Sequence, residues 1–130
     1  MTLKVSKALA DNRLIGALDT LRVYSGEHGE PMTADDPATG RLLVEFLECR
    51  IEWNPFGSSF EKSSNGPWQS VAIDNGRARY FRFFSTAKPE LSIQGTVDMG
   101  ARGDLIVTNT ALITGMPQFI DLFFIKEAVK

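Results

Sequence analysis

The chain has 130 residues, and its 14 Lys and Arg against 16 Asp and Glu give a formal net charge of −2. With 43% hydrophobic and 23% charged residues it has the apolar mass for one folded core, which excludes wholesale disorder. A single Cys and a single His exclude an internal disulfide and the usual Cys/His zinc site, and the absence of a basic surplus argues against a nucleic-acid partner.

In chain order, the predicted elements begin with a helix over 6–19. Leu9, Leu14, Ile15 and Leu18 recur there at helical spacing, and Ser6 is the candidate N-cap. A β-domain fills 20–130. Its strands are predicted at Thr20–Tyr24, Arg41–Trp53, Trp68–Asp74, Arg77–Phe84, Leu91–Val97, Asp104–Asn109, Ala111–Thr114 and Phe119–Val129. Asn75-Gly76 predicts a hairpin between the third and fourth of these, because both positions tolerate positive φ in a type I′ turn. Leu91, Ile93, Gly95 and Val97 alternate and are expected to face inward. Strands at this spacing, with Gly and Pro at their ends, predict an all-β single domain over 1–130. The expected architecture is an antiparallel β-sandwich or barrel, jelly-roll-like, with one short N-terminal helix. The N-terminal segment lacks the apolar stretch of a signal peptide. The most apolar run, Phe119 to Ile125, contains Asp121 and is too short to cross a bilayer, so no membrane partner is expected.

Two long loops are predicted, at 25–40 and 54–67. Loops of that length in a compact domain are uncommon unless they are functional or disordered, and both read as contact loops. Trp53, Phe56 and Phe60 are the candidate apolar anchors for a partner, and Asp35 and Asp36 belong to the candidate contact set in the first loop. Glu27, His28, Glu30, Asp35 and Asp36 gather potential hard-cation ligands, but their spacing fits no calcium loop and a solvated acidic loop is the better reading. No metal or cofactor is therefore expected.

The chain offers little for catalysis. Cys49 lies in a predicted strand as a small buried hydrophobe. The serines between Ser58 and Ser70 have only His28 as a base, and no GxSxG elbow is present. Carboxylate pairs such as Glu48 and Glu52 are too common to nominate as acid and base. No catalytic residue is assigned, and an enzyme is not expected. Arg77, Arg79 and Arg82 are interleaved with Tyr80, Phe81, Phe83 and Phe84, a pattern that also occurs in single-strand binders. Alternation puts Arg77 and Arg79 on one face and makes the Phe run core. Arg102-Gly103-Asp104 and Asn54-Pro55-Phe56 match short recognition motifs that describe ordinary turns equally well.

Several segments carry a resemblance. LIGALDT (14–20) leads into LRVYSG (21–26) and then PMTADDPATGRLL (31–43), followed later by GRARYFRFF (76–84) and the Gly-bearing LSIQGTV strand (91–97). This arrangement resembles small structural proteins of tailed bacteriophages and prophages. The resemblance implies a β-rich virion component with no catalytic residues. A compact β-fold, near-neutral charge and two long loops point within that class to a capsid decoration or cement protein that stabilises the head shell. The expected partner is the major capsid protein, the expected state a homo-oligomer (dimer or trimer), and the expected location the virion, assembled in the host cytoplasm. A tail or neck component is the alternative within the class. A carbohydrate- or ligand-binding β-sandwich, with Trp53 and Trp68 as a stacking platform, is the alternative outside it.

Overall fold

A computed structural model describes residues 3–9, 12–26, 29–54, 56, 59–62, 68–98, 105–107, 110–120 and 123–126. The elements in chain order are β1 (Lys4–Val5), a 3-10 turn (Asn12–Ala17), β2 (Thr20–Tyr24), β3 (Leu42–Phe46), β4 (Ile51–Asn54), β5 (Ser59–Lys62) and β6 (Trp68–Val71). There follow β7 (Gly76–Arg77), β8 (Tyr80–Phe84), β9 (Ser92–Asp98), β10 (Leu105–Ile106), β11 (Ala111–Leu112), β12 (Pro117–Ile120) and β13 (Phe124–Lys126).

The fold is all-β, and alternation builds its main layer. Strands β1-β9-β8-β2-β3 form an antiparallel sheet in that order, and β10 runs parallel beside the far end of β9. The register sets Leu21 beside Phe83 and Phe46, and Val23 beside Phe81 and Val44. These six side chains and Ile93 are buried on one face. Burying a side chain of this size stabilises the fold by roughly 1.5–3 kcal/mol. The three-stranded sheet β13-β5-β4 and the ribbons β6-β12 and β7-β11 supply the other apolar groups, including Ile51, Leu112, Ile120 and Ile125. Phe123 keys the layers together: its ring meets those of Phe81, Phe83 and Trp68 at 5.8, 5.7 and 5.6 Å. The result is sandwich-like.

The segment expected as a helix over 6–19 folds differently. Its helical part is the six-residue 3-10 turn, and Ser6 is no N-cap. Ser6 prolongs the β1–β9 pairing: its amide donates to the Ser92 carbonyl, and its Oγ accepts from the Ser92 amide, each at 3.0 Å. Pairing with β9 satisfies backbone groups that a short helix containing Gly16 would hold weakly. Leu9, Ile15 and Leu18 are buried as expected, whereas the tighter 3-10 winding leaves Leu14 exposed.

Four further expectations are also corrected. The run Arg41–Trp53 is two strands in different sheets, separated by a corner at 47–50 where Glu48 adopts a left-handed φ of 54° and the Cys49 amide donates to the Asp19 carbonyl. The segment 54–67 is not one loop, because β5 lies inside it, paired with β4 on one side and β13 on the other. Asn75-Gly76 does not join two paired strands: β6 pairs with β12, and β8 with β2 and β9. Asn75 Oδ1 instead accepts from the Thr114 amide and hydroxyl, and Gly76 pairs with Leu112. Long-range pairing overrides the local turn preference. The predicted strand Phe119–Val129 is likewise divided between β12 and β13, which lie in different sheets.

Candidate functional site

The second face of the main sheet carries a row of polar side chains across five strands. Register aligns Lys4, Gln94, Arg82, Arg22 and Glu45, one from each of β1, β9, β8, β2 and β3. Arg22 Nε donates to Glu45 at 2.5 Å, and Arg82 Nε donates to Gln94 Oε1 at 2.9 Å. Burial acts to lower the Arg22 pKa, but hydrogen bonding to Glu45 and Tyr24 and their charges together outweigh it, and the net shift is upward.

Residues 30–39 of the first predicted loop lie across this row. Gln94 Nε2 donates to the Pro31 carbonyl at 2.7 Å and to Glu30 at 3.1 Å. Lys4 donates to the same carbonyl and ion-pairs with Glu30 at 3.3 Å, and Arg82 Nη2 donates to the Thr33 carbonyl. The Tyr80 hydroxyl donates to the Thr39 carbonyl at 2.6 Å and accepts from its amide at 2.8 Å. Gln94 and Tyr80 are buried beneath the loop although they face away from the apolar core. At the neck, Gly40 has φ +76°, and a Cβ there would lie 2.6 Å from the Gly26 nitrogen, so glycine is required.

Asp35 and Asp36 are exposed on this loop. Asp35 accepts from the Lys7 amide at 2.9 Å, and Asp36 from the Thr33 amide at 3.1 Å. They line an open cleft of about 430 Å³ with Arg22, Arg82, Phe84 and Glu90. Of the acidic cluster, Glu27 and His28 lie outside the described residues. Among the described residues no group of three or more His, Cys, Asp or Glu gathers to hold a metal ion.

The β4–β5 hairpin gives the three aromatic candidates different surroundings. Trp53 and Phe60 are cross-strand partners with ring centroids 5.1 Å apart, edge to face. Trp53 stays 45% exposed, whereas Phe60 packs on the core. Phe56 is 99% exposed. Asn54 shapes the turn, accepting from the Phe56 amide and donating to Glu61. Trp68 is taken up by contacts with Phe83 and Phe123, so it is not free to form a platform with Trp53.

Sequence reasoning missed further exposed apolar residues on the β6–β12 ribbon and in the segments next to β6 and β11. Val71, Ile73, Ile113 and Phe119 are each at least 40% exposed. Val71 pairs with Pro117, and Phe119 with Gln69, so they share the outward face of the ribbon. The signal was present in the alternation of Val71 with Ala72 and Phe119 with Ile120, but the partner strand was misassigned. Cys49 is buried, and burial pushes its thiol up to about 12, so it stays protonated at neutral pH and is a poor nucleophile.

Comparison of the chain with protein-family models, curated proteins and solved structures returned no match. No helix among the described residues is long and apolar enough to cross a membrane.

Proposed function

We propose that this protein works by contact within a protein assembly, as a virion structural subunit of the capsid decoration kind that binds the major capsid protein and stabilises the phage head. The observation that carries the reading is Phe56, 99% exposed beside the half-exposed Trp53 on a hairpin whose base is anchored in the core. Folding gains nothing from an aromatic ring held in water, whereas a partner pocket does. The phage assignment itself rests on the resemblance of 14–43 and 76–97 to virion proteins. The outward face of the β6–β12 ribbon, with Val71 and Phe119 exposed, offers a second contact, which suits a subunit bridging neighbours or forming a homo-oligomer.

The test is to add the purified protein to expanded phage heads that lack it. Saturable binding and a higher temperature of head disruption are expected. A protein that neither binds nor protects such heads has another role.

A further inference from the structure

The polar row leaves one charge unmatched. Lys4 and Arg22 each hold a carboxylate, Glu30 and Glu45 respectively. Arg82 lies between them and donates only to the Gln94 side chain and the Thr33 carbonyl, both neutral, so among the described residues no carboxylate pairs with it. Arg82 is also the direct cross-strand neighbour of Arg22, and like charges facing each other on a sheet are destabilising.

Both arginines line the cleft of about 430 Å³ between the sheet and the 34–38 segment. The Arg22 guanidinium lies over the Phe84 ring, 4.9 Å from its centroid, which restricts its orientation. The exposed side of the cleft is acidic, with Asp35, Asp36 and Glu90.

We propose that this cleft binds a carboxylate, with Arg82 as the principal contact and Arg22 as the second cation. A guanidinium fork matches a carboxylate in shape and charge, and the hydrogen bonds from Arg82 to Gln94 and Thr33 hold that fork in place. The acidic rim sets the rest of the specificity. It repels a bare multivalent anion and favours a ligand with a cationic group next to its carboxylate. That chemistry belongs to an acidic residue flanked by lysines in a polypeptide, and equally to a free amino acid. The site stands whether or not the chain belongs to a virion.

Titration of the ¹⁵N-labelled protein with acetyl-Lys-Glu-Lys-amide, free lysine and inorganic phosphate tests it. The peptide or free lysine is expected to give saturable shifts at the Ala34, Ala38 and Glu90 amides, with phosphate weaker than either. Binding by the peptide alone identifies a polypeptide source, and binding by both shows that a small zwitterion suffices. Arg82→Gln is expected to weaken binding by about tenfold or more, because it removes a charge-assisted hydrogen bond. Absence of saturable shifts with both peptide and lysine, or wild-type affinity in Arg82→Gln, overturns the proposal. Should Arg82→Gln fail to fold, Glu90→Gln decides: tighter phosphate binding supports the site, and unchanged binding overturns it.

Discussion

The two stretches that composition marks alike, 25–40 and 54–67, have opposite relations to the rest of the molecule. The first is rich in Gly, Pro and Asp and looks solvated, yet its carbonyls at Pro31, Thr33 and Thr39 accept from Lys4, Gln94, Arg82 and Tyr80. The second contains β5, held in a three-stranded sheet, and still leaves Phe56 fully exposed. Length and polarity do not separate a contact loop from a structural cover. What separates them is whether the sheet beneath offers donors for the loop's carbonyls. By that criterion 25–40 is bound into the fold and the hairpin tip is the uncommitted surface.

The largest expected effect comes from outside both stretches and isolates global unfolding from release of the loop. Burial raises the Cys49 thiol from 9.0 to about 12. A group whose folded pKa lies above its unfolded value stabilises the fold fully below the unfolded pKa and loses that contribution as pH rises through the folded one. Stability should therefore fall between pH 9 and 12, and Cys49→Ala should flatten that part of the profile in alkaline denaturation. An unchanged slope would show that the thiol is not the titrating group.

Gln94→Leu comes next. It strands Arg82 Nε and takes one donor from the Pro31 carbonyl, which Lys4 still serves, and should cost about 2–4 kcal/mol in urea denaturation. Amide exchange over the described loop residues 29–39 should accelerate with it. Slow exchange there in a destabilised variant would mean that the loop is held by something else. Phe60→Ala should cost about 2 kcal/mol, less than a fully buried Phe, because its ring is only partly covered. Tyr80→Phe should cost about 1 kcal/mol and speed exchange at Thr39. Phe56→Ala should change stability by no more than about 0.5 kcal/mol, while weakening attachment to heads in a co-sedimentation assay. Unfolding of the Phe56 variant would place that residue in the core and collapse the contrast between the two stretches.

The strands with an apolar stripe alternating along their length were legible. Thr20–Tyr24 has the predicted bounds, and β8 and β9 show the expected inward Phe81, Phe83, Ile93 and Val97. Their alternation is local, and a chain shows local pattern directly. Changes of layer were not legible. Nothing in the apolar run 41–53 marks Glu48 as a corner, because its backbone conformation is imposed by packing on either side. Strand β5 has Phe60 as its one strand-favouring residue, beside Ser59, Glu61 and Lys62, and so carries a weak propensity signal. The polar row needs the register of five strands, which periodicity does not provide, so Arg82 stands out in the sequence only within its Arg and aromatic run and Gln94 not at all. Of the candidate contact residues, Trp53, Phe56, Asp35 and Asp36 lie at the surface, whereas Phe60 leans on the core through long-range packing that its sequence neighbours do not announce.

The neck at Gly26 and Gly40 has an architectural consequence. Strands β2 and β3 are antiparallel neighbours with Tyr24 opposite Leu42, and the Ser25 amide already donates to the Arg41 carbonyl. A tight turn would join them without shifting one residue of register. The segment between the glycines is thus an excursion from a complete hairpin, and sequence could be exchanged there with the two strands left in place. The sheet's connectivity would survive such a graft, while the buried Gln94 and Tyr80 would require a new cover.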